Sequence, residues 1–112
     1  MSYDPALADR IRHIVAGAPS VTEKAMFGGL SFLSCRKMFC GVIGDELMVR
    51  VGPDRYEQAL IRPHVRPMDF TGRPMKGYVY VSAEGCRTIR ALRPWVEKGL
   101  TFVGRLSQPG GR

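Results

Sequence analysis

Few side chains in this sequence could take part in catalysis, and they are far apart in the chain. The residues best suited to nucleophilic attack or proton transfer are two histidines and three cysteines: His13, His64, Cys35, Cys40 and Cys86. Covalent catalysis requires a nucleophile within hydrogen-bond reach of a base, and zinc is usually held by closely spaced pairs of cysteine or histidine. The spacing shows neither pattern. We therefore predict a non-enzymatic protein with no catalytic residues, no metal site and no cofactor.

Each of these residues also has an ordinary structural interpretation. His13 is expected on the surface of the first helix. The cysteines are expected to be either small buried apolar side chains or partly exposed thiols without a special role. His64 lies between Pro63 and Val65, where a role as a ligand or proton carrier remains open. The odd number of cysteines favours a reducing compartment, and no apolar run approaches the ~20 residues needed to span a bilayer. We expect a cytoplasmic protein with no membrane partner.

Residues 66–77 combine prolines, glycines and cations in a segment that we predict to be a loop. In one interpretation the backbone N–H groups of Gly72 and Gly77 and the nearby cations hold a phosphate or an acidic side chain. In the other the segment is a rigid connection, with Asp69 in an ion pair and the apolar side chains in the core. The candidate residues for binding an anion or a partner are His64, Arg66, Arg73, Lys76 and Tyr78.

The net charge adds a preference for polyanions. Seventeen Lys and Arg against ten Asp and Glu give a formal charge of +7, which raises affinity for nucleic acid or for acidic protein surfaces. Tyr78 and Tyr80 alternate along a predicted strand and so share one face, where they could stack on bases. They could equally form the half-buried outer face of an edge strand.

Periodicity predicts the elements that would position these residues. Asp4 and Pro5 are typical of the start of a helix, and Gly17 and Pro19 should end it. Gly44-Asp45 has the length of a tight hairpin turn, where acidic residues are common for conformational reasons. Strands are predicted at residues 30–33, 38–43, 46–51 and 78–82, and the alternation in the third directs Leu47, Val49 and Val51 to the core.

Two further helices are predicted in the second half of the chain. Asp54 and Glu57 have the spacing of a capping box at the start of a short helix. The C-terminal helix is expected to begin at about Pro94 after a turn from Thr88, because a proline inside a helix costs ~3 kcal/mol.

The order of elements indicates a single α+β domain, in which helices pack on an antiparallel sheet of about five strands. We place the domain at residues 1–106 and a disordered tail at 107–112. Pairing with a second copy, as a homodimer, would be one way to cover the edges of such a sheet.

Four blocks of the sequence together resemble the N-terminal domain of the TfoX/Sxy family. They are residues 26–32, 38–42, 45–53 and 66–78, which read MFGGLSF, MFCGV, DELMVRVGP and RPMDFTGRPMKGY. The resemblance extends from the first helix to about Leu106 and implies a stand-alone form without the helical C-terminal domain of longer members. The sequence differs from the family pattern at two places. Residues 34–37 replace a glycine-containing turn, and Pro94 stands where the family favours a cation.

Longer members of that family are associated with regulation of bacterial competence genes together with the cyclic-AMP receptor protein. The resemblance therefore implies a regulatory or protein-interaction module with a protein partner and a link to transcription or competence. Two alternatives remain open from the residues themselves. One is direct binding of nucleic acid through the basic surface, and the other is a site for a small anionic ligand at residues 66–77.

Overall fold

The computed structural model describes residues 3–18, 20–26, 28–70 and 73–107. The elements in chain order are α1 (Pro5–Ile14), β1 (Val21–Met26), β2 (Gly29–Ser34), β3 (Lys37–Ile43), β4 (Glu46–Arg50), α2 (Tyr56–Leu60), β5 (Val65–Phe70), β6 (Arg73–Val81) and α3 (Ile89–Ser107). All neighbouring strands are antiparallel, in the order β1-β2-β3-β4-β6-β5. The predicted α+β class is confirmed, with six strands where about five were expected. None of the helices in these residues is long and apolar enough to cross a membrane.

The first helix forms as the sequence predicts. The Asp4 carboxylate accepts a hydrogen bond of 3.0 Å from the N–H of Ala6, which satisfies one of the backbone donors left free at a helix start. Leu7, Ala8 and Ile11 are buried on the face that meets the rest of the protein. The cap and the apolar stripe together fix where α1 begins and which side it buries.

The core lies between the helices and one face of the sheet. Leu47, Val49 and Val51 are at most 1% exposed, as their alternation predicts. Residues from β6 and α3 pack against them, including Val79, Val81, Leu92, Val96 and Val103. The helices therefore cover one side of the sheet, and the residues that alternate with this core point to the other side.

Two hairpins show how the turns set strand register. Gly44 and Asp45 connect Ile43 to its partner Glu46 as predicted, and Gly44 has a φ of 59°. β2 and β3 are joined by Cys35 and Arg36, whose φ values of 51° and 72° lie in the left-handed region. That region favours glycine or asparagine, so the departure from a glycine-containing turn leaves the fold intact but strains this connection.

The prediction of a loop at residues 66–77 is wrong, because the described part of this segment forms the hairpin of β5 and β6. Its two prolines occupy positions where a strand tolerates the loss of an N–H. Pro67 lies on β5 at the edge of the sheet, and Pro74 lies beyond the last pair of β6 with β4, which is Tyr78 with Arg50. Proline is compatible with strands at such edges. Thr71 and Gly72, including the predicted N–H donor of Gly72, lie outside the described residues. Of the tail predicted at 107–112, Ser107 is the last residue of α3 and residues 108–112 lie outside the described residues.

The prediction that the last helix begins near Pro94 is also wrong. Thr88 caps α3, since its Oγ1 accepts from the N–H of Ala91 at 3.1 Å and its carbonyl accepts from Leu92 at 3.0 Å. Leu92 is fully buried and anchors this first turn in the core. Pro94 lies on the exposed side of the helix, where water can hydrate the carbonyl that its missing N–H leaves unpaired.

The expected capping box at the second helix does not form. A 3-10 turn at Pro53–Arg55 precedes α2, so the residue at the cap position is Arg55, and no side chain makes a capping hydrogen bond there. The helix is held instead by its apolar face, on which Ala59 is buried and Tyr56 and Leu60 pack against the core.

A close approach at Gly99 brings α3 onto β3. A Cβ at residue 99 would lie 2.4 Å from the carbonyl oxygen of Phe39, whereas a Cβ at Gly104, one turn and a half further along the helix, would meet nothing within 4 Å. Backbone atoms cannot move aside as a flexible side chain can. The absence of a side chain at Gly99 therefore sets the distance between helix and sheet.

We expect Gly99→Ala and Gly104→Ala to change stability in opposite directions. Gly99→Ala should lower the free energy of unfolding by about 3 kcal/mol, because it overpacks the helix against the β3 backbone. Gly104→Ala should raise it by about 0.5 to 1 kcal/mol, because alanine loses less conformational entropy in a helix. Chemical denaturation of both variants is the measurement, and a neutral Gly99→Ala would contradict the packing described.

Candidate functional site

The structure describes the side chains of four of the five predicted site residues, namely His64, Arg66, Lys76 and Tyr78. His64 precedes β5 with a φ of 69°, and its Nδ1 lies 3.6 Å from Oε1 of Glu84. Lys76 is exposed on β6. The side chains of Arg73 and Asp69 lie outside what the structure describes, and so does the ion pair predicted for Asp69. Arg66 and Tyr78 lie on the same face of the sheet, since Arg66 pairs with Tyr80, and each is in contact with a residue that the sequence did not single out as its partner.

Arg66 lies over an aromatic ring and is paired with an acid. Its Cζ is 4.5 Å from the centroid of the Tyr80 ring, and its Nη2 donates to Oε1 of Glu46. Glu46 lies on β4, so the arginine side chain crosses β6 to reach it. This geometry fixes the guanidinium on the sheet and offsets its charge, although the side chain remains 53% exposed.

Arg50 makes the equivalent contact with Tyr78. Its Cζ lies 5.6 Å from the Tyr78 ring centroid and 5.1 Å from that of Phe102 on α3. In the ladder between β4 and β6, Arg50 pairs with Tyr78 and Met48 pairs with Tyr80. The prediction that the two tyrosines share one face is therefore confirmed, and it is the face opposite Leu47, Val49 and Val51. We call Arg50, Arg66, Tyr78 and Tyr80 the arginine–tyrosine face.

Two adjoining cavities lie on the other side of the molecule, between α3 and the segment formed by the 3-10 turn and α2. The larger has a volume of about 400 Å³ and is lined by Val51, Gly52, Asp54, Arg55, Pro94, Glu97, Lys98, Thr101, Phe102 and Arg105. The smaller, of about 180 Å³, is lined by Arg55, Gln58, Ala59, Arg62 and Lys98. Arg55 and Lys98 line both. We call the two cavities together the cationic cleft.

The position of the cleft depends on two glycines from different sequence blocks. Gly77 has a φ of 96°, and its carbonyl accepts from the N–H groups of Val51 at 2.8 Å and Gly52 at 3.0 Å. Gly52 has a φ of 90°, and a Cβ there would lie 2.5 Å from Cδ1 of Phe102. The chain therefore turns at the end of β4 directly beneath the Phe102 ring, which forms a wall of the larger cavity.

The smaller cavity concentrates positive charge. Arg62 Cζ and Lys98 Nζ lie 5.8 Å and 5.3 Å from the centroid of the Trp95 ring. Burial lowers the pKa of Lys98, and the charges of Arg62 and Arg55 lower it further. Within the part of the chain that the structure describes, none of the salt bridges involves Arg55, Arg62 or Lys98. The sequence shows these cations but not their convergence, because they come from two separate segments.

The cysteines differ sharply in environment. Cys40 is fully buried in β3, and burial raises the pKa of its thiol. Burial also raises the pKa of Cys86 to about 11, and its Sγ lies 3.3 Å from the carbonyl oxygen of Ser82. Cys35 is exposed in the β2–β3 turn. Among the described residues no group of three potential ligands is placed to hold a metal ion.

We expect a single fast-reacting thiol in the native protein. The thiolate is the reactive species, so at pH 8 a disulfide reagent such as dithionitrobenzoate should modify Cys35 within seconds to minutes, whereas Cys40 and Cys86 should react only on unfolding. Cys35→Ser should abolish the fast phase. Two fast equivalents in the native protein would contradict the burial of the other two cysteines.

One comparison with known proteins gives a match. The model of the TfoX N-terminal domain matches residues 13–103, a span that contains all six strands and most of α3. A search of curated proteins gave no match. The sequence blocks around Gly52 and Gly77, which carry the resemblance noted above, are the ones that meet beneath Phe102.

Proposed function

Since the chain belongs to the TfoX N-terminal domain family, we propose that it is a non-enzymatic regulatory module that acts by binding an acidic protein partner. The observation that carries this proposal is the arginine–tyrosine face, where Arg50 and Arg66 lie over the rings of Tyr78 and Tyr80. The finer role, taken from longer members of the family, is control of transcription of competence genes.

The composition of the arginine–tyrosine face supports a protein partner. Tyrosine and arginine are enriched in protein interfaces and among the residues that contribute most to binding energy. Tyr78 and Tyr80 are half-buried under the arginines, so they lose little conformational freedom on binding. Met48, which pairs with Tyr80 on the same side of the sheet, is 1% exposed and provides a packed base for the tyrosines. A preorganised surface of this kind lowers the entropic cost of association.

Charge favours an acidic partner over a second copy. Each copy carries a formal charge of +7, so two copies repel each other at long range, whereas an acidic surface is attracted. The position of Arg66 also weakens the case for nucleic acid, because the arginine covers the Tyr80 ring that would have to stack on a base.

We expect photo-crosslinking from the arginine–tyrosine face to capture one protein. The photoreactive phenylalanine analogue benzoylphenylalanine would replace Tyr80 in one variant, and Ile61, which is 83% exposed at the end of α2, in a matched control. Irradiation in cells should give a defined adduct from position 80 and none from position 61. Adding Arg66→Ala should reduce that adduct about tenfold, since loss of a central arginine costs more than ~1 kcal/mol.

The same experiment separates the alternatives. A purified partner, including the cyclic-AMP receptor protein as a first candidate, should then bind the wild-type chain and lose affinity with Arg66→Ala. Adducts only with a second copy, or equal adducts from both positions, would contradict the proposal. Adducts only with nucleic acid, with affinity falling steeply between low and moderate salt, would replace it by direct nucleic-acid binding.

A further inference from the structure

The cationic cleft is lined by different residues from the arginine–tyrosine face and contains an unbalanced charge. Its smaller cavity is lined by Arg55, Arg62, Lys98, the amide of Gln58 and Ala59, so it presents three cations and a hydrogen-bond donor without a lining carboxylate. Lysine and arginine side chains on a protein surface usually extend away from each other into solvent or form ion pairs with acidic side chains. Here two of them are held against the ring of Trp95, which is itself only 6% exposed.

This arrangement has an energetic cost that an anion would remove. Contact with the Trp95 ring offsets part of the repulsion between Arg62 and Lys98, since the face of an indole ring attracts a cation electrostatically. The lowered pKa of Lys98 shows that burial and its neighbours still disfavour its charge. A dianionic phosphate suits the site because guanidinium groups bind phosphate oxygens through two parallel hydrogen bonds and an ammonium adds a third donor group.

The larger cavity has different chemistry. Phe102, Pro94 and Val51 give it apolar walls, and Asp54 and Glu97 contribute acceptors that offset Arg105. A molecule that extends from the smaller cavity into this one would therefore carry its negative charge at one end and an apolar body with hydrogen-bond donors at the other. A volume of about 400 Å³ is within the range of small-molecule sites.

We propose that the cationic cleft binds a small organic phosphate of about the size of a nucleoside monophosphate, with the phosphate between Arg55, Arg62 and Lys98 and the flat, donor-bearing body against Phe102. A polyanion such as nucleic acid or an acidic peptide fits less well, because Asp54 and Glu97 would repel negative charge along the larger cavity. The site lies outside residues 66–77 and does not depend on a protein partner.

The test is titration of the whole chain with adenosine 5′-monophosphate and, separately, with inorganic phosphate at about 0.15 M salt, where exposed charges are screened beyond ~8 Å. The chain has one tryptophan, Trp95, so its fluorescence reports directly on this site. Backbone amide NMR gives the location. We expect saturable binding of the nucleotide with shifts centred on Gln58, Lys98 and Phe102, and at least tenfold weaker binding of inorganic phosphate.

Two double variants, each of which removes two positive charges, distinguish binding in the cleft from nonspecific attraction of the nucleotide to a basic protein. Arg62→Gln with Lys98→Gln should weaken nucleotide binding at least tenfold, whereas Arg87→Gln with Arg90→Gln, at exposed positions, should change it less than twofold. Thermal unfolding would show that both pairs remain folded. Equal weakening by both pairs, no saturation at millimolar nucleotide, or inorganic phosphate binding as tightly as the nucleotide would overturn the proposal.

Discussion

The contact between the Phe102 ring and the backbone of Gly52 is the constraint on which both proposed binding surfaces depend. A Cβ at residue 52 would lie 2.5 Å from the ring, so only glycine leaves room for the aromatic side chain there. The positive φ of Gly52 turns the chain away from β4 at that point, and the carbonyl of Gly77 fixes the turn by accepting from two successive N–H groups. One junction thereby joins the sheet, the 3-10 turn before α2, and α3.

Arg50 extends the influence of this junction to the other side of the sheet. Its guanidinium lies near Phe102 and near Tyr78, so the ring that bounds the cationic cleft also contacts the arginine–tyrosine face. Movement of Phe102 on binding in the cleft would change the surroundings of Arg50. The two surfaces are therefore physically connected through one arginine. On the two proposals made above, a small ligand and a protein partner would influence each other's binding.

Local sequence signals predicted the structure correctly where it depends only on residues close together in the chain. The Asp4 cap, the Gly44-Asp45 turn and the alternation of β4 each depend on neighbouring residues, and each was predicted correctly. The errors at the prolines share a cause. The free-energy cost of a proline in a strand or helix depends on where the fold places it, which the local sequence does not show. Pro67 and Pro74 suggested a loop until the strand order placed them where no N–H is needed, and Pro94 suggested a helix start until its exposed position in α3 was known. The cationic cleft could not be predicted because Arg55 and Arg62, which flank α2, meet Lys98 of α3 only in the folded chain.

A double-mutant cycle on Gly52→Ala and Phe102→Ala tests the central contact most directly. In the wild-type background, Gly52→Ala should cost about 2 kcal/mol or more, from the clash with the ring together with backbone strain at positive φ. In the Phe102→Ala background the clash is gone and only the strain remains, so the cost should fall to about 1 kcal/mol, a coupling well above the error of such measurements. Equal costs of Gly52→Ala in the two backgrounds would show that the ring does not rest on residue 52 and would contradict this account.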